Sequence, residues 1–324
     1  MRKRKTKCLL AVSVFVIAGM AGILCAERKE IGTLLSTERD SKGNDVGAGK
    51  REDETDDARK ELLPEEGVGE EEEYSIIRPQ GKTLETRVAV PQGYKRTKCR
   101  KNSLAGFLRG YPMKKDGSPV LLYDGSEKGS QDVHVAVFKL PLEPEDLQQC
   151  ADSVMRVYAE YFWKTGQKER IKFHFVDGFL ADYARWRDGG RIQAGDVTSW
   201  SDSAAYDDSY GNFKKYMRMV FAYAGTLSME AEAEKISMEE LRIGDIFIKG
   251  ASPGHVVMVV DVCRNEDGKK AFLLGQGYMP AQEFHLLKNN RHEEDPWYYE
   301  EEISYPFETP EYTFEKGSLR RLKY

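Results

Sequence analysis

Cysteine is scarce. The chain has 324 residues and five cysteines, and two of these, Cys8 and Cys25, lie in the first 26 positions. The other three, Cys99, Cys150 and Cys263, allow at most one internal disulfide, which excludes a disulfide-stapled scaffold. Stability must come from an ordinary core, and the portion after residue 80 is long enough to build one. Histidine is equally sparse, with five in all. No His/Asp/Glu spacing reads as a metal site, so neither a metal nor a cofactor is expected. No basic patch is present, and the formal net charge is -5. Nucleic acid is therefore not an expected partner.

What is present is distributed unevenly. Residues 2–7 (RKRKTK) carry five positive charges and precede an uncharged run of 19 residues, Cys8 to Ala26. A basic leader before an apolar stretch marks a secretory signal or an uncleaved anchor. The run is longer than a usual signal core and near bilayer-spanning length, which favours an anchor with its basic end inside. Cleavage after Ala21 or Ala26 stays open, as does lipidation at Cys25. In each version the remainder lies outside the cytoplasm, at the cell envelope, with the membrane as a partner through residues 1–26. Residues 27–73 then hold 17 acids against 8 bases, more than the whole negative excess. Poor in aromatic and β-branched residues, residues 27–80 cannot offset the entropy of ordering and read as a disordered linker.

Order is expected from residue 81 to the end, as one α+β domain. Arg87 to Val90 is strand-like, and Asn102 to Arg109 reads as a short helix with Ser103 as cap. Asp132 to Leu140 alternates as a half-buried strand. A long helix is predicted over Glu145 to Trp163, with Pro144 in its first turn. Ile171 to Val176 is another strand, residues 180–210 read as loop with short elements, and Tyr210 to Tyr223 is a second helix. A meander follows: Asp245 to Lys249, His255 to Cys263 and Lys270 to Gly277, the last two joined by a turn through Asn265 to Gly268. His285 falls on a further short strand, Glu283 to Leu287, and the aromatic tail from Trp297 to Leu322 is expected to close the sheet edge. Helices followed by an antiparallel meander give the α+β class.

Two resemblances bear on function. The order helix (Asn212 to Ala224), Gly-Asp strand (LRIGDIFI, 241–248) and His-Val strand (GHVVMVVDV, 254–262) resembles the NlpC-type peptidases and the wider papain-like group. This implies a papain-like core over about 205–290 and an amide hydrolase or transferase acting on cell-wall peptide. Carried over by position, His255 is the base and Gln276 the residue that orients it. Alignment through Ala224-Gly225 puts the nucleophile position on Phe213, which has no such chemistry. Cys150 is the alternative nucleophile, since Gln149-Cys150-Ala151 lies early in the long helix, and Gln148 or Gln149 would donate to the oxyanion. A helix N-terminus beside an imidazole lowers a thiol pKa. Cys150 also falls in the helix's apolar stripe, and that spacing on its own reads as a small core residue. More widely, residues 84 to the end resemble an uncharacterised bacterial family, domain of unknown function 4846, through LQQCADSVMRVYAEY, FAYAGTLSM and GQGYMPAQEFHLL. That resemblance implies an envelope protein and supplies no activity.

Whether His255 and Gln276 meet depends on the hairpin between them. An even loop puts them on one face of the sheet, and a four-residue loop sets them directly across. A two-residue loop separates them by about 13 Å, and an odd loop puts them on opposite faces. Asp245, Tyr278, Gln282 and His285 are the further binding candidates around this pair. His134 and His174 sit in apolar strands and read as structural. Trp186, Trp200, Trp297 and Tyr298 fit either a groove or the core. The rival to an enzyme is an inactive relative that keeps the cleft and binds a peptide, glycan or envelope protein.

Overall fold

A computed structural model describes residues 74–324. The expected leader and residues 27–73 of the linker lie outside the described residues. No helix among the described residues is long and apolar enough to cross a membrane.

The class is α+β, built on a nine-stranded sheet in which every paired neighbour is antiparallel. Its strands in chain order are β1 (Lys95–Arg96), β2 (His134–Val137), β3 (Ala233–Lys235), β4 (Ile246–Lys249) and β5 (His255–Arg264). They continue with β6 (Lys270–Gln276), β7 (His285–Leu287), β8 (Tyr298–Tyr299) and β9 (Leu319–Leu322). The spatial order is β2-β7-β6-β5-β4-β9-β3, with β1 pairing with β5 and β8 with β6. The helices that matter here are α1 (Leu104–Arg109), α2 (Cys150–Lys164), α3 (Tyr210–Tyr223) and α4 (Thr226–Glu232).

Both faces of the sheet are covered, which is why β5 reads as an almost unbroken apolar run and is buried from His255 to Cys263. One face packs Val256, Met258 and Val260 against Val154 and Phe162 of α2 and Met217 of α3. The other packs Val257, Val259 and Phe272 beneath Phe307 and Phe314, which belong to a small hairpin, Phe307–Glu308 with Thr313–Phe314. These are the helix face and the hairpin face below.

Where β5 meets β6 the register shifts. Leu273 pairs with Asp261 but Leu274 pairs with Val259, so Val260 is an extra residue. Glycine at 275 makes room for the bulge: a Cβ there would lie 3.1 Å from Val260 Cγ1 and 2.8 Å from the Phe284 ring. Val260 fills the space a side chain would need.

Several expectations change. The long helix begins at Cys150, not at Glu145. Asp152 accepts from Gln149 N–H at 3.0 Å, while Asp146 is turned to accept from Ala281 N–H at 2.7 Å. Residues 145–149 are thereby held as an irregular arm, and Pro144 is not in the first turn. Residues 84–87 are a short helix capped by Thr83, and Val88 makes only an isolated bridge to Ile77. The tail closes one edge only in part: β8 pairs with the outer side of β6, whereas β9 is inserted between β4 and β3, leaving β3 at the edge. Trp186, Trp297 and Tyr298 are core.

Candidate functional site

Cys150 is the first residue of α2, a helix of 15 residues. The helix N-terminus sits close over the end of β6 because residue 277 is glycine. A Cβ there would fall 2.2 Å from Ser153 Oγ and 3.0 Å from the Gln149 carbonyl. Cys150 is 6% exposed and lines a cavity of about 420 Å³ with Asp146, Thr226, Pro253 and Met279. One wall of that cavity is the turn 251–254 that feeds into β5. The turn is tight: Ala251 has φ +83°, a left-handed conformation that costs about 1 kcal/mol outside glycine. At Gly254 a Cβ would lie 2.3 Å from the Ala251 carbonyl oxygen.

Burial pushes the Cys150 thiol up to about 11, with Asp152 adding to the effect and the N–H groups of Ala151 and Val256 opposing it. The free thiol is therefore protonated at rest. Val256, whose N–H is among the groups that lower the thiol, directly follows His255 on β5.

His255 opens β5 and is 2% exposed. Its Nε2 lies 2.8 Å from Gln276 Oε1. The Gln276 amide nitrogen lies 2.6 Å from Glu311 Oε2 and 3.3 Å from His285 Nε2. His285 Nδ1 in turn lies 2.9 Å from the Glu283 carbonyl oxygen, and Lys128 closes the cluster with an ion pair to Glu311. Around the His255 ring stand Tyr278 at 4.9 Å, Tyr312 at 5.0 Å and Phe314 at 6.1 Å between centroids. With water displaced by these rings, burial pushes His255 down to about 4. Burial alone would raise the Glu311 carboxyl, but the Lys128 ammonium paired with it holds it below its usual value. His255 Nδ1 makes no hydrogen bond among the described residues, yet it is not among the sealed polar atoms.

The structure thus brings together His255, Gln276, His285 and Tyr278 of the predicted set. Cys150 is nearby but differently placed. Strand alternation sends His255 to the hairpin face with Val257 and Val259, whereas Cys150 belongs to the helix-face core. Among the described residues no hydrogen bond joins the two. They approach one another at the end of the sheet, where β5 starts and β6 stops.

Other candidates are used elsewhere. Asp245 is buried, bound by Arg321 at 2.8 and 2.9 Å and by Arg242 N–H at 2.7 Å. It lines a separate cavity of about 620 Å³. Its partner Gly244 has φ +98°, and a Cβ there would lie 2.7 Å from Tyr158 Oη, so the Gly-Asp pair is a packing device. Gln282 donates to the Pro280 carbonyl at 3.0 Å. Gln148 is turned away to the Pro141 carbonyl, while Gln149 bonds Asp146 and lines the Cys150 cavity. Phe213 is core, packed among Trp163, Tyr183 and Tyr210. Among the described residues no three His, Cys, Asp or Glu are arranged to hold a metal.

Sequence reasoning missed Glu311, Tyr312 and Lys128. Glu311 to Phe314 alternates polar and aromatic residues, a faint hairpin signal. Lys128 lies in an irregular loop and carries no signal at all.

A family model described as "Domain of unknown function (4846)" matches residues 84–321. No curated protein matches, and no solved structure matches.

Proposed function

The chain belongs to the family of domain of unknown function 4846, a description that carries no activity, and we propose from the site itself that it is a cysteine-dependent amide hydrolase or acyltransferase of papain-like, NlpC-type architecture. Cys150 is the nucleophile, His255 the base and Gln276 the residue that orients the base. The observation that carries this reading is the cavity opening on Cys150 at the head of α2, flanked by the turn into His255, with His255 hydrogen-bonded to Gln276 behind it. Its substrate class is cell-wall peptide, met outside the cytoplasm, with the N-terminal apolar segment at the membrane.

The chemistry that fits is concerted. With the thiol up at about 11 and the imidazole down at about 4, a preformed thiolate–imidazolium pair is disfavoured. Sγ instead bonds to the substrate carbonyl carbon as its proton passes to His255 Nδ1. The same proton goes to the departing amine when the C–N bond breaks. Water then bonds to the thioester carbon as Nδ1 takes one of its protons; that proton passes to Sγ as the C–S bond breaks, restoring the thiol, and the carboxylic acid released loses its proton to solvent. An amine acceptor in place of water makes the reaction a transfer. N–H groups in the first turn of α2 lack helical partners and are suited to stabilise the oxyanion.

A second reading, a non-catalytic binder of peptide, glycan or envelope protein, is favoured by one observation: Cys150 and His255 belong to opposite faces of the sheet and share no hydrogen bond. Thiol labelling separates the two. In a Cys99→Ser background, which removes the exposed thiol among the described residues, alkylation read at the Cys150 peptide should be about tenfold faster in the otherwise wild-type protein than with His255→Ala, because His255 takes the thiol proton as the sulfur attacks. Equal rates would favour the binder.

A further inference from the structure

Gln276 has one acceptor and one two-proton donor at the end of its side chain, and its orientation decides which nitrogen of His255 is free. Two neighbours face the nitrogen end. Glu311 is a carboxylate held by Lys128 and offers only lone pairs. His285 must carry its proton on Nδ1, because that atom faces the Glu283 carbonyl at 2.9 Å. With Glu311 holding the amide nitrogen on this side, that nitrogen can only donate, so His285 Nε2, 3.3 Å away, is also a lone pair. Both neighbours require the NH₂ group, one proton each.

The oxygen is left to His255, at 2.8 Å from Nε2. Nε2 must then be the protonated nitrogen, and the lone pair falls on Nδ1. Turning the amide over would put its oxygen 2.6 Å from a carboxylate oxygen and against a second lone pair. The arrangement has one consistent solution.

We infer that Glu311 is a positioning residue that, together with His285, fixes the Gln276 amide and thereby holds His255 in its Nε2–H tautomer. Glu311 hydrogen-bonds Gln276 and Lys128 and makes no hydrogen bond to Cys150 or His255. Its contribution to activity rests on the reading of His255 as a base, whereas its control of the tautomer does not.

The test is ¹⁵N NMR of the histidine rings, read beside turnover of a cell-wall peptide. Wild type should show His255 as one tautomer, protonated at Nε2. Glu311→Gln offers either an oxygen or an NH₂ to Gln276, so His255 should become a mixture of tautomers. kcat should fall about 10- to 100-fold with KM within twofold. Glu311→Asp restores the carboxylate and should recover the single tautomer, which a merely disturbed fold would not do. A single Nε2–H tautomer persisting in Glu311→Gln would overturn the inference, as would a wild-type ring protonated at Nδ1. Failure of Glu311→Asp to recover what Glu311→Gln loses would also overturn it. If the tautomers behave as described but no variant turns over an amide, the positioning role stands and the proposed enzyme falls.

Discussion

His255 enters the folded state as a neutral ring, because Tyr278, Tyr312 and Phe314 stand where water would solvate an imidazolium. That has a thermodynamic consequence. A histidine in the unfolded chain titrates near 6.5, and the folded one only at about 4. Between those values the unfolded chain binds the proton and the folded one does not. The stabilisation is full above pH 6.5 and is lost as pH falls toward 4, by about 3 kcal/mol in all. Melting temperature should therefore drop through that window in wild type and drop less in His255→Gln. Equal slopes for the two proteins would show that His255 does not titrate as described. On the mechanism proposed above, protonation would also remove the base, so Cys150-dependent turnover should fail on the acid side near pH 4 rather than near 6.5.

At the scale of elements, the meeting of His255 with Gln276 depends on counting. The loop between β5 and β6 runs from Asn265 to Lys269, an odd number, which by itself sends the two side chains to opposite faces. Val260, the bulged residue, supplies a second odd step and returns them to one face. Inserting one alanine between Val256 and Val257 should turn His255 to the helix face, and its hydrogen-bonded tautomer should disappear from the NMR spectrum. Persistence of that signal would mean that the strand absorbs the insertion elsewhere.

This bulge also marks where sequence reading stops. The β5 and β6 strands, the hairpin between them and α3 are legible because apolar periodicity and Asp267-Gly268 are local signals. The bulge goes with packing across strands, Val260 and Phe284 both closing on Gly275, and no local spacing in β5 records that. The true start of α2 was hidden for a related reason: the apolar spacing continues through Leu147, but Asp146 is captured by Ala281. Glu311 and Lys128 reach Gln276 only through tertiary packing, which no spacing in the chain encodes.

At the scale of the molecule, β9 ties the C-terminal segment into the sheet. Arg321 on β9 grips Asp245 at the head of β4 with two hydrogen bonds, and the Asp245 side chain is 1% exposed. Arg321→Ala leaves that carboxylate buried with only the Arg242 N–H. It should cost on the order of 2–3 kcal/mol in chemical denaturation, with a loss under 0.5 kcal/mol showing that Asp245 takes up a proton instead.

The insertion of β9 also imposes an order of assembly. β4 pairs with β5 on one side and with β9 on the other, and β9 lies some 70 residues further along the chain. Until it arrives, β4 presents an open edge, and β3 has no neighbour in the sheet to join. The sheet therefore cannot close progressively as the chain is synthesised, and its completion waits on the last contacts to become available. Glu311 arrives in the same stretch, so the polar cluster at His255 is finished only when the fold is. A chain that stops before Glu311 therefore lacks the carboxylate that binds Gln276, and one that stops before Leu319 also leaves the outer edge of β4 unpaired.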